Sequence, residues 1–348
     1  MASEMLSLIV PVYNGTMFLR KTLDSLENQD YEQIELILVD DGSKDESLNI
    51  MRTFAMESKR TVKIITQRNS GVCAARNAGF SVAVGKYVAF CDQDDLFARK
   101  CFSKLIDALE KNDADIAFCG FDFIDADDNI IGRYEKSYVY PKYNPLKGED
   151  ILSQYLLGKV AIWGGAILYR RNFLLDNKIL YTRNCIFAED NEFFIKSLAV
   201  AERVACVRES LSFWRQHKYS TSTSYSFKQI ERNSNLHELT AYLRCRAFLE
   251  KRGKQNTNAY KILTSLIIPS AYVAYLQRVL LIHGDVRLKE ILHQESLRSQ
   301  LKKGNNFIFL TKRPDLYFKL FLAIYFPGAF LRLVQARQKR KFNLKDPK

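Results

Sequence analysis

Four short apolar runs, each ending in a polar cluster, organise the first hundred residues. The first, Leu6–Val12, closes in Pro11-Val12-Tyr13-Asn14-Gly15, and the second, 34–39, breaks into Asp40-Asp41-Gly42-Ser43. The third, 62–66, leads to Asn69-Ser70-Gly71, and the fourth, 87–91, drives into Asp92, Asp94 and Asp95. Stretches of helical period lie between them. Phe18, Leu19, Thr22, Leu23 and Leu26 share one face, Asp45 is placed to cap a second helix, and a small-residue helix is expected over 72–84. Strands alternating with helices of this length predict a parallel sheet with right-handed crossovers. All four polar clusters then fall at C-terminal strand ends, the edge where open α/β sheets bind ligands.

Downstream, 116–121 reads as another strand, and Asp127-Asp128-Asn129 as a hairpin turn between Phe123-Ile124 and Ile130-Ile131. Ala188-Glu189-Asp190 opens a helix whose buried side carries Phe193, Phe194 and Leu198. Acids in a first helical turn suit the helix dipole whether or not they also do chemistry. The last third is expected to be helical over 227–251, 258–283 and 286–302, with Pro269 kinking the second helix.

Three carboxylates within four positions repel one another and raise each other's pKa. Asp92, Asp94 and Asp95 therefore point either to a divalent cation or to a solvated turn that caps a helix starting near Phe97. Hard oxygen ligands suit Mg2+ or Mn2+, which leave coordination positions for substrate phosphates. The chain has no GxxxxGK[ST] loop, and no GxGxxG follows the first strand, which excludes an ordinary P-loop or dinucleotide site. A nucleoside diphosphate held through a metal on carboxylates fits better.

Taken together, VPVYNG at 10–15, VDDGS at 39–43, NSGVCAARNAG at 69–79 and FCDQDD at 90–95 resemble the inverting family-2 glycosyltransferases of GT-A fold, over roughly residues 5–220. The resemblance implies an α/β, Rossmann-like and mostly parallel catalytic domain that uses Mn2+ or Mg2+ and a UDP-sugar donor. It implies that Pro11, Val12 and Tyr13 line the nucleotide's base and ribose and that Asp41 accepts a hydrogen bond from them. Asn69, Gly71 and Arg76 would close over base and diphosphate. Asp92 and Asp94 would form the metal-binding pair, Asp94 the more direct ligand, with Asp95 either behind the metal ligands or near the sugar. Asp190 would be the general base, beside Glu189. His217 would be a further metal ligand and Arg215 a diphosphate contact. Trp163, with its stacking face, and Gly164-Gly165, which allow close backbone approach, would serve the acceptor; the alternative is a core tryptophan beside an ordinary turn. The 212–217 segment, Ser212 to His217, departs from the QxxRW element of processive synthases, so one sugar per acceptor is expected. A nucleotidyltransferase of related fold is disfavoured because its basic glycine-rich loop is missing. A non-catalytic sugar-nucleotide binder is disfavoured because every expected carboxylate is present.

Charge divides the chain. Residues 1–225 hold 28 Lys+Arg against 31 Asp+Glu, and residues 226–348 hold 24 against 8, within a total net charge of +13. A boundary is expected near residue 226, between a catalytic domain (1–120 for the nucleotide-sugar, 121–225 for the acceptor) and a basic helical extension. The aromatic-apolar stretch 316–334 is broken by Lys319, Pro327-Gly328 and Arg332, too short for a span of about 20 residues. Arg337, Lys339, Arg340 and Lys341 follow it, a pairing that suits an interfacial helix on anionic lipid or else packing within an oligomer. No nucleic-acid recognition motif accompanies the basic tail. With seven cysteines, no CxxC pair and no basic n-region before the first apolar run, the expectation is a reduced protein in the cytoplasm, peripheral on the inner face of the cell membrane. Its expected acceptor is a glycan, of polyprenyl-diphosphate-linked type, in capsule, exopolysaccharide or lipopolysaccharide assembly.

Overall fold

The apolar runs become strands of one sheet: β1 (Leu6–Val12), β2 (Ile34–Asp40), β3 (Thr61–Thr66) and β4 (Tyr87–Phe90). A computed structural model describes residues 4–217, 234–276, 279, 314–325, 329–330 and 332–333. The chain divides into two compact units, Met1–Tyr225 and Ser226–Lys348.

In the first unit, β1 pairs in parallel with β2 and β4, and β2 with β3. Every residue of β1 and β2 is buried, the continuous pattern of parallel strands covered on both faces. Helices α1 (Leu19–Glu27), α2 (Ser47–Glu57) and α3 (Val72–Val82) supply the crossovers. Asp45 stands one residue outside the expected capping place, yet its Oδ1 still accepts from the Ser47 amide, at 3.1 Å. Pro11 is tolerated in a central strand for a visible reason. Cys91 donates to the Ile9 carbonyl (2.9 Å), so this parity of β1 turns toward β4, and the β4 pairing ends at Phe90, opposite Ile9. The N–H that Pro11 lacks has no ladder partner to lose.

The rest of the sheet is mixed. Its order is β3-β2-β1-β4-β8-β6-β9-β5, with β7 (Ile130–Gly132) paired on β6 (Ile116–Ile124). Strand β8 (Ile167–Arg170) inserts antiparallel between β4 and β6, and β9 (Val204–Arg215) runs parallel to β6. The hairpin turn falls at Asp127–Asn129, where both the Asp127 and Asn129 amides donate to Asp125 Oδ1 at 2.9 Å. The helix expected near Phe97 begins instead at Cys101, as α4 (Cys101–Lys111). Leu96 and Phe97 form β5, paired with Phe213 and Ser212 of β9, so the turn after the acids closes the sheet edge. Strand β9 carries no clean alternation, because exposed Arg208 and Glu209 interrupt it beside an irregular register with β6.

Three further helices matter below: α5 (Tyr134–Ser137), α6 (Gly148–Leu156) and α7 (Arg171–Asp176) precede α8 (Glu189–Val200). Because β1, β2 and β3 proceed outward while β4 lies on the other side of β1, the strand order reverses between β1 and β4. The crevice at that switch point is where doubly wound sheets place ligands.

The second unit has helix Ser234–Lys251 and a helical stretch Asn258–Leu276 that continues past Pro269. Its irregularity is a π turn at Leu263–Ile267, before the proline. That stretch is long and apolar enough to cross a membrane, but 56% of it is buried, as in a core helix. Helix Pro314–Tyr325 buries Leu320 and Ala323 and exposes Phe318 and Tyr325. The expected helix 286–302 and the basic tail 337–341 lie outside the described residues.

One buried carboxylate ties the parallel half together. Glu35 accepts from Ser7 Oγ (2.5 Å) and the Val84 amide (2.8 Å) and pairs with Lys63 Nζ (2.7 Å). Burial works to raise its pKa, but Lys63, Ser7 and Val84 outweigh it and hold the value low. Glu35→Ala should cost about 1–3 kcal/mol in urea unfolding, the usual penalty for buried donors left unpaired. Because the folded pKa lies below the unfolded one, the loss should be full at neutral pH and fade as pH falls through the folded value. An unchanged urea midpoint at neutral pH would show that the contact is not stabilising.

Candidate active site

The switch point gathers the polar clusters at the ends of β1, β2 and β4. After β1, Tyr13 is held from both sides of its peptide by one side chain: Gln93 Oε1 accepts from Tyr13 N (2.9 Å) and Gln93 Nε2 donates to Tyr13 O (3.1 Å). Pro11 and Val12 are buried, so among these three only Tyr13, 42% exposed, presents a side chain to the crevice. Pro11 and Val12 support the wall instead of lining it. Sequence reasoning missed Gln93, although it stands between the two acids of the quoted motif.

Asp40 and Asp41 build the next wall. Asp40 Oδ1 accepts from Ser43 N (3.1 Å), closing the turn. Asp41 accepts from Gln67 Nε2 (2.7 Å) and Ser70 N (2.8 Å) at Oδ1 and from Gly71 N (2.8 Å) at Oδ2. Its carboxylate thus folds the 67–71 loop over the crevice, with Asn69 and Gly71 exposed on the rim. Gly42 has φ +74°, and a Cβ there would meet Asn69 N at 2.9 Å, so the close approach of the two loops needs glycine.

The deepest contact is Arg76. Its guanidinium is buried and bonds Asp92 Oδ1 through Nη2 and Asp190 Oδ1 through Nη1, both at 2.7 Å, with Glu189 Oε1 4.0 Å away. The Tyr181 ring lies 4.8 Å from its Cζ. Burial opposes its charge, but Asp190, Tyr181, Asp92 and Glu189 outweigh that and hold its pKa well above the usual arginine value. Arg76 therefore does not open toward a diphosphate, as expected from the resemblance; it joins the acid motif after β4 to the first turn of α8. Burial raises the Asp92 pKa, with Asp190 and Asp94 adding to the shift and Arg76 opposing it. Burial and the adjacent Asp190 push Glu189 up to about 8.

Asp94 and His217 meet at the crevice, Oδ2 to Nε2 at 2.8 Å, with the imidazole against the Phe18 ring (centroids 4.7 Å). Among the described residues no cluster of three or more His, Cys, Asp or Glu forms a metal site, and Asp92 turns its Oδ1 to Arg76. The protein donors that converge are thus one carboxylate and one imidazole. That pair fits a divalent ion such as Mn2+ or Mg2+ that keeps its other positions for water and substrate phosphate.

Three expected contacts are corrected by burial. Arg215 is fully buried: its Nε donates to the Asp94 carbonyl (2.8 Å) and its Nη1 to the Asp125 carbonyl (2.9 Å), with Asp128 Oδ1 at 2.5 Å. It braces the acid turn against the β6–β7 hairpin and is not placed for a diphosphate. Asp95 is fully buried, accepting from Trp163 Nε1 (2.5 Å) and Arg215 N (3.1 Å), so of its two expected places it takes the one behind the metal ligands and does not face a sugar. Burial, then the charges of Asp94 and Asp92, raise its pKa well above the carboxylate range. Trp163 stacks on Trp214 (centroids 4.0 Å, 21°), which occupies one of its faces. Gly164 and Gly165 are buried in a short 3-10 turn. At Gly165 a Cβ would lie 2.9 Å from the Phe97 ring, so this glycine serves packing.

The model of the Glycosyl transferase family 2 domain matches residues 7–176. Among relatives, the uncharacterized glycosyltransferase EpsJ of Bacillus subtilis (strain 168) is 32% identical over 62% of this chain and 62% of its own length. The putative glycosyltransferase EpsH of the same organism is 30% identical over 78% of this chain and 76% of its own length. Among solved structures, S. aureus TarS 1-349 in complex with UDP-GlcNAc has a TM-score of 0.63 at 17% identity, covering 91% of this chain and 90% of that one, a likeness of fold. A mixed sheet whose N-terminal strands are parallel and carry the polar clusters at the switch point, the family match and the extent of the relatives agree: the chain belongs to glycosyltransferase family 2 and carries the GT-A fold.

Proposed function

We propose that the enzyme moves one sugar from a UDP-sugar to a glycan acceptor with inversion, Asp190 acting as general base. The observation that carries this reading is the Asp92–Arg76–Asp190 bridge, which sets a carboxylate of α8 beside the acid edge of the donor crevice. Arg76 engages Asp190 through Oδ1, and Oδ2 has no hydrogen bond among the described residues. Inversion requires an acceptor hydroxyl to lose its proton as it attacks the anomeric carbon, and Oδ2 is the atom that takes it. Burial and the neighbouring Asp190 raise the Glu189 pKa, and of these two adjacent carboxyls Asp190 is the one that Arg76 holds beside the crevice to take that proton.

Residues 1–120 hold the donor in this reading, Tyr13 flanking the base and the Asp41-organised loop covering it. The TarS complex, with UDP-GlcNAc in a chain of the same fold, supports a nucleotide-sugar. Asp94 and His217 would hold the divalent ion, which when bound supplies Lewis-acid neutralisation of the departing diphosphate. Residues 121–225 face the acceptor. The excess of 24 basic over 8 acidic residues in 226–348 supports a cytoplasmic enzyme on the anionic inner membrane face, where a polyprenyl-diphosphate-linked saccharide is presented.

Three measurements test this. Asp190→Asn keeps the shape but not the proton affinity, so turnover should fall at least about 10²-fold with UDP affinity by calorimetry nearly unchanged; lost UDP binding would move Asp190 to the donor site. Turnover should stop in EDTA and return with Mn2+, and Asp94→Ala should not be rescued by it. Full activity of Asp94→Ala in metal-free buffer would rule out the metal role.

Glu189 gives a pH test. Its folded pKa of about 8 lies above the unfolded carboxyl value, so the folded state binds more protons between the two. Its contribution to stability is complete below the unfolded value and is lost as pH rises toward about 8. Glu189→Gln should flatten that decline between about pH 5 and about pH 8 in urea titrations. An identical pH slope in both proteins would show that Glu189 titrates normally.

A further inference from the structure

Beside the donor crevice lies a cleft that the reaction above does not use. Between α3, α7 and the strap that precedes α8 lies a cavity of ≈ 840 Å³ lined in part by Ser70, Asn77, Arg171, Leu175, Leu180 and Arg183. Ala74 and Ala78, four residues apart on α3, keep its floor open. No acid lines it.

Its charge is uncompensated. Among the described residues neither Arg171 nor Arg183 has a carboxylate partner, and Arg171 Nε is buried without a hydrogen bond. The Arg171 guanidinium carbon lies 6.0 Å from the Phe80 ring centre, a contact that satisfies no N–H donor. These two guanidiniums, with no acid in the lining, stand in a unit where acids outnumber bases, 31 to 28. A guanidinium fork with unused donors is matched by phosphate oxygens, which it can bind bidentately.

The same lining is apolar at its mouth: Leu175 is 43% and Leu180 50% exposed. Cations beside exposed leucines suit a phosphate that carries a hydrocarbon chain. The position is also suitable. Asn77 grips the Tyr181 peptide in both directions, Nδ2 to O (2.8 Å) and N to Oδ1 (3.0 Å), so the strap is fixed to α3. That strap leads into Glu189 and Asp190, while Gln67 and Ser70 at the other end belong to the loop organised by Asp41. The cleft therefore borders both the donor loop and the segment carrying the base.

We propose that this cleft seats the phosphate-bearing, hydrocarbon-linked end of the acceptor, Arg171 and Arg183 binding the phosphate and Leu175 and Leu180 the first part of the chain. The assignment to an acceptor rests on the glycosyl-transfer reading; the ligand chemistry does not. The test is calorimetric, on the full chain saturated with UDP so that the donor crevice is occupied. The probes are farnesyl diphosphate below its micelle concentration, inorganic diphosphate and farnesol. Farnesyl diphosphate should bind, and Arg183→Gln and Arg171→Gln/Arg183→Gln should each weaken it at least about tenfold, the low end for a hydrogen bond to a charged group, with UDP affinity unchanged. Leu175→Asn/Leu180→Asn should weaken farnesyl diphosphate and leave inorganic diphosphate as it was. Undiminished farnesyl diphosphate binding by Arg183→Gln, whose side chain is exposed and not required for folding, would overturn the proposal. Equal affinity for inorganic and farnesyl diphosphate, indifferent to the leucines, would overturn it too by removing the chain. If the wild type neither hydrolyses nor transfers sugar from any UDP-sugar but keeps this binding pattern, the glycosyl-transfer reading fails, and the ligand chemistry of the cleft stands without its assignment to an acceptor.

Discussion

A single buried cation, the guanidinium of Arg76, organises the catalytic edge. It comes from α3, whose small residues let the helix lie close to β1 and β2, and it reaches across to two carboxylates that belong to different parts of the chain. Without it Asp92, Asp190 and Glu189 would stand as desolvated acids in mutual repulsion. Removing one partner from a buried ionic cluster of this kind costs about 3–5 kcal/mol, because the remaining charges stay buried and uncompensated. The cluster is thus weak as a source of stability but strict about geometry. It permits one arrangement of the β4 turn relative to α8.

A second, independent brace holds the other side of the acid motif. Arg215 takes up the backbone carbonyls of Asp94 and Asp125 with its own N–H groups, while its amide and Trp163 satisfy Asp95. The aromatic stack of Trp163 on Trp214 and the pairing of β5 with β9 close this region from water. The three aspartates of the motif consequently have three environments: Asp92 toward Arg76, Asp94 toward His217 and Asp95 into the core. Only Asp94 keeps a carboxylate oxygen turned to a metal-competent partner.

The two braces explain how a flexible task is built on a rigid frame. Carboxylates are positioned by strand ends and a helix start, and their supporting bonds come from residues distant in sequence, as preorganised charge requires. The loops that cover the crevice are held by polar bonds from several sides, with Gln93 at Tyr13 and Asp41 at 67–71 the side chains that bond each of them more than once.

Periodicity and strand-end chemistry were enough to locate β1 to β4, the switch-point crevice and the acids that line it, because those signals are local: a run of apolar residues, then a turn. Asp94 and His217 also stand within hydrogen-bond distance, and Tyr13 is exposed at the crevice. The sequence could not say which polar residues face inward. Arg215, Asp95 and Trp163 have the composition of a binding site, but the pairing of β5 with β9, between residues more than a hundred positions apart, turns them into the core. Arg76 likewise looked like a diphosphate ligand until the fold brought α8 within hydrogen-bond reach of α3. By itself the sequence determined the parallel half of the sheet, its ligand edge and the supply of carboxylates. The tertiary structure decided which of them are desolvated, which are paired and which remain free to react, since a side chain's partner is set by packing across the sheet and not by its neighbours along the chain.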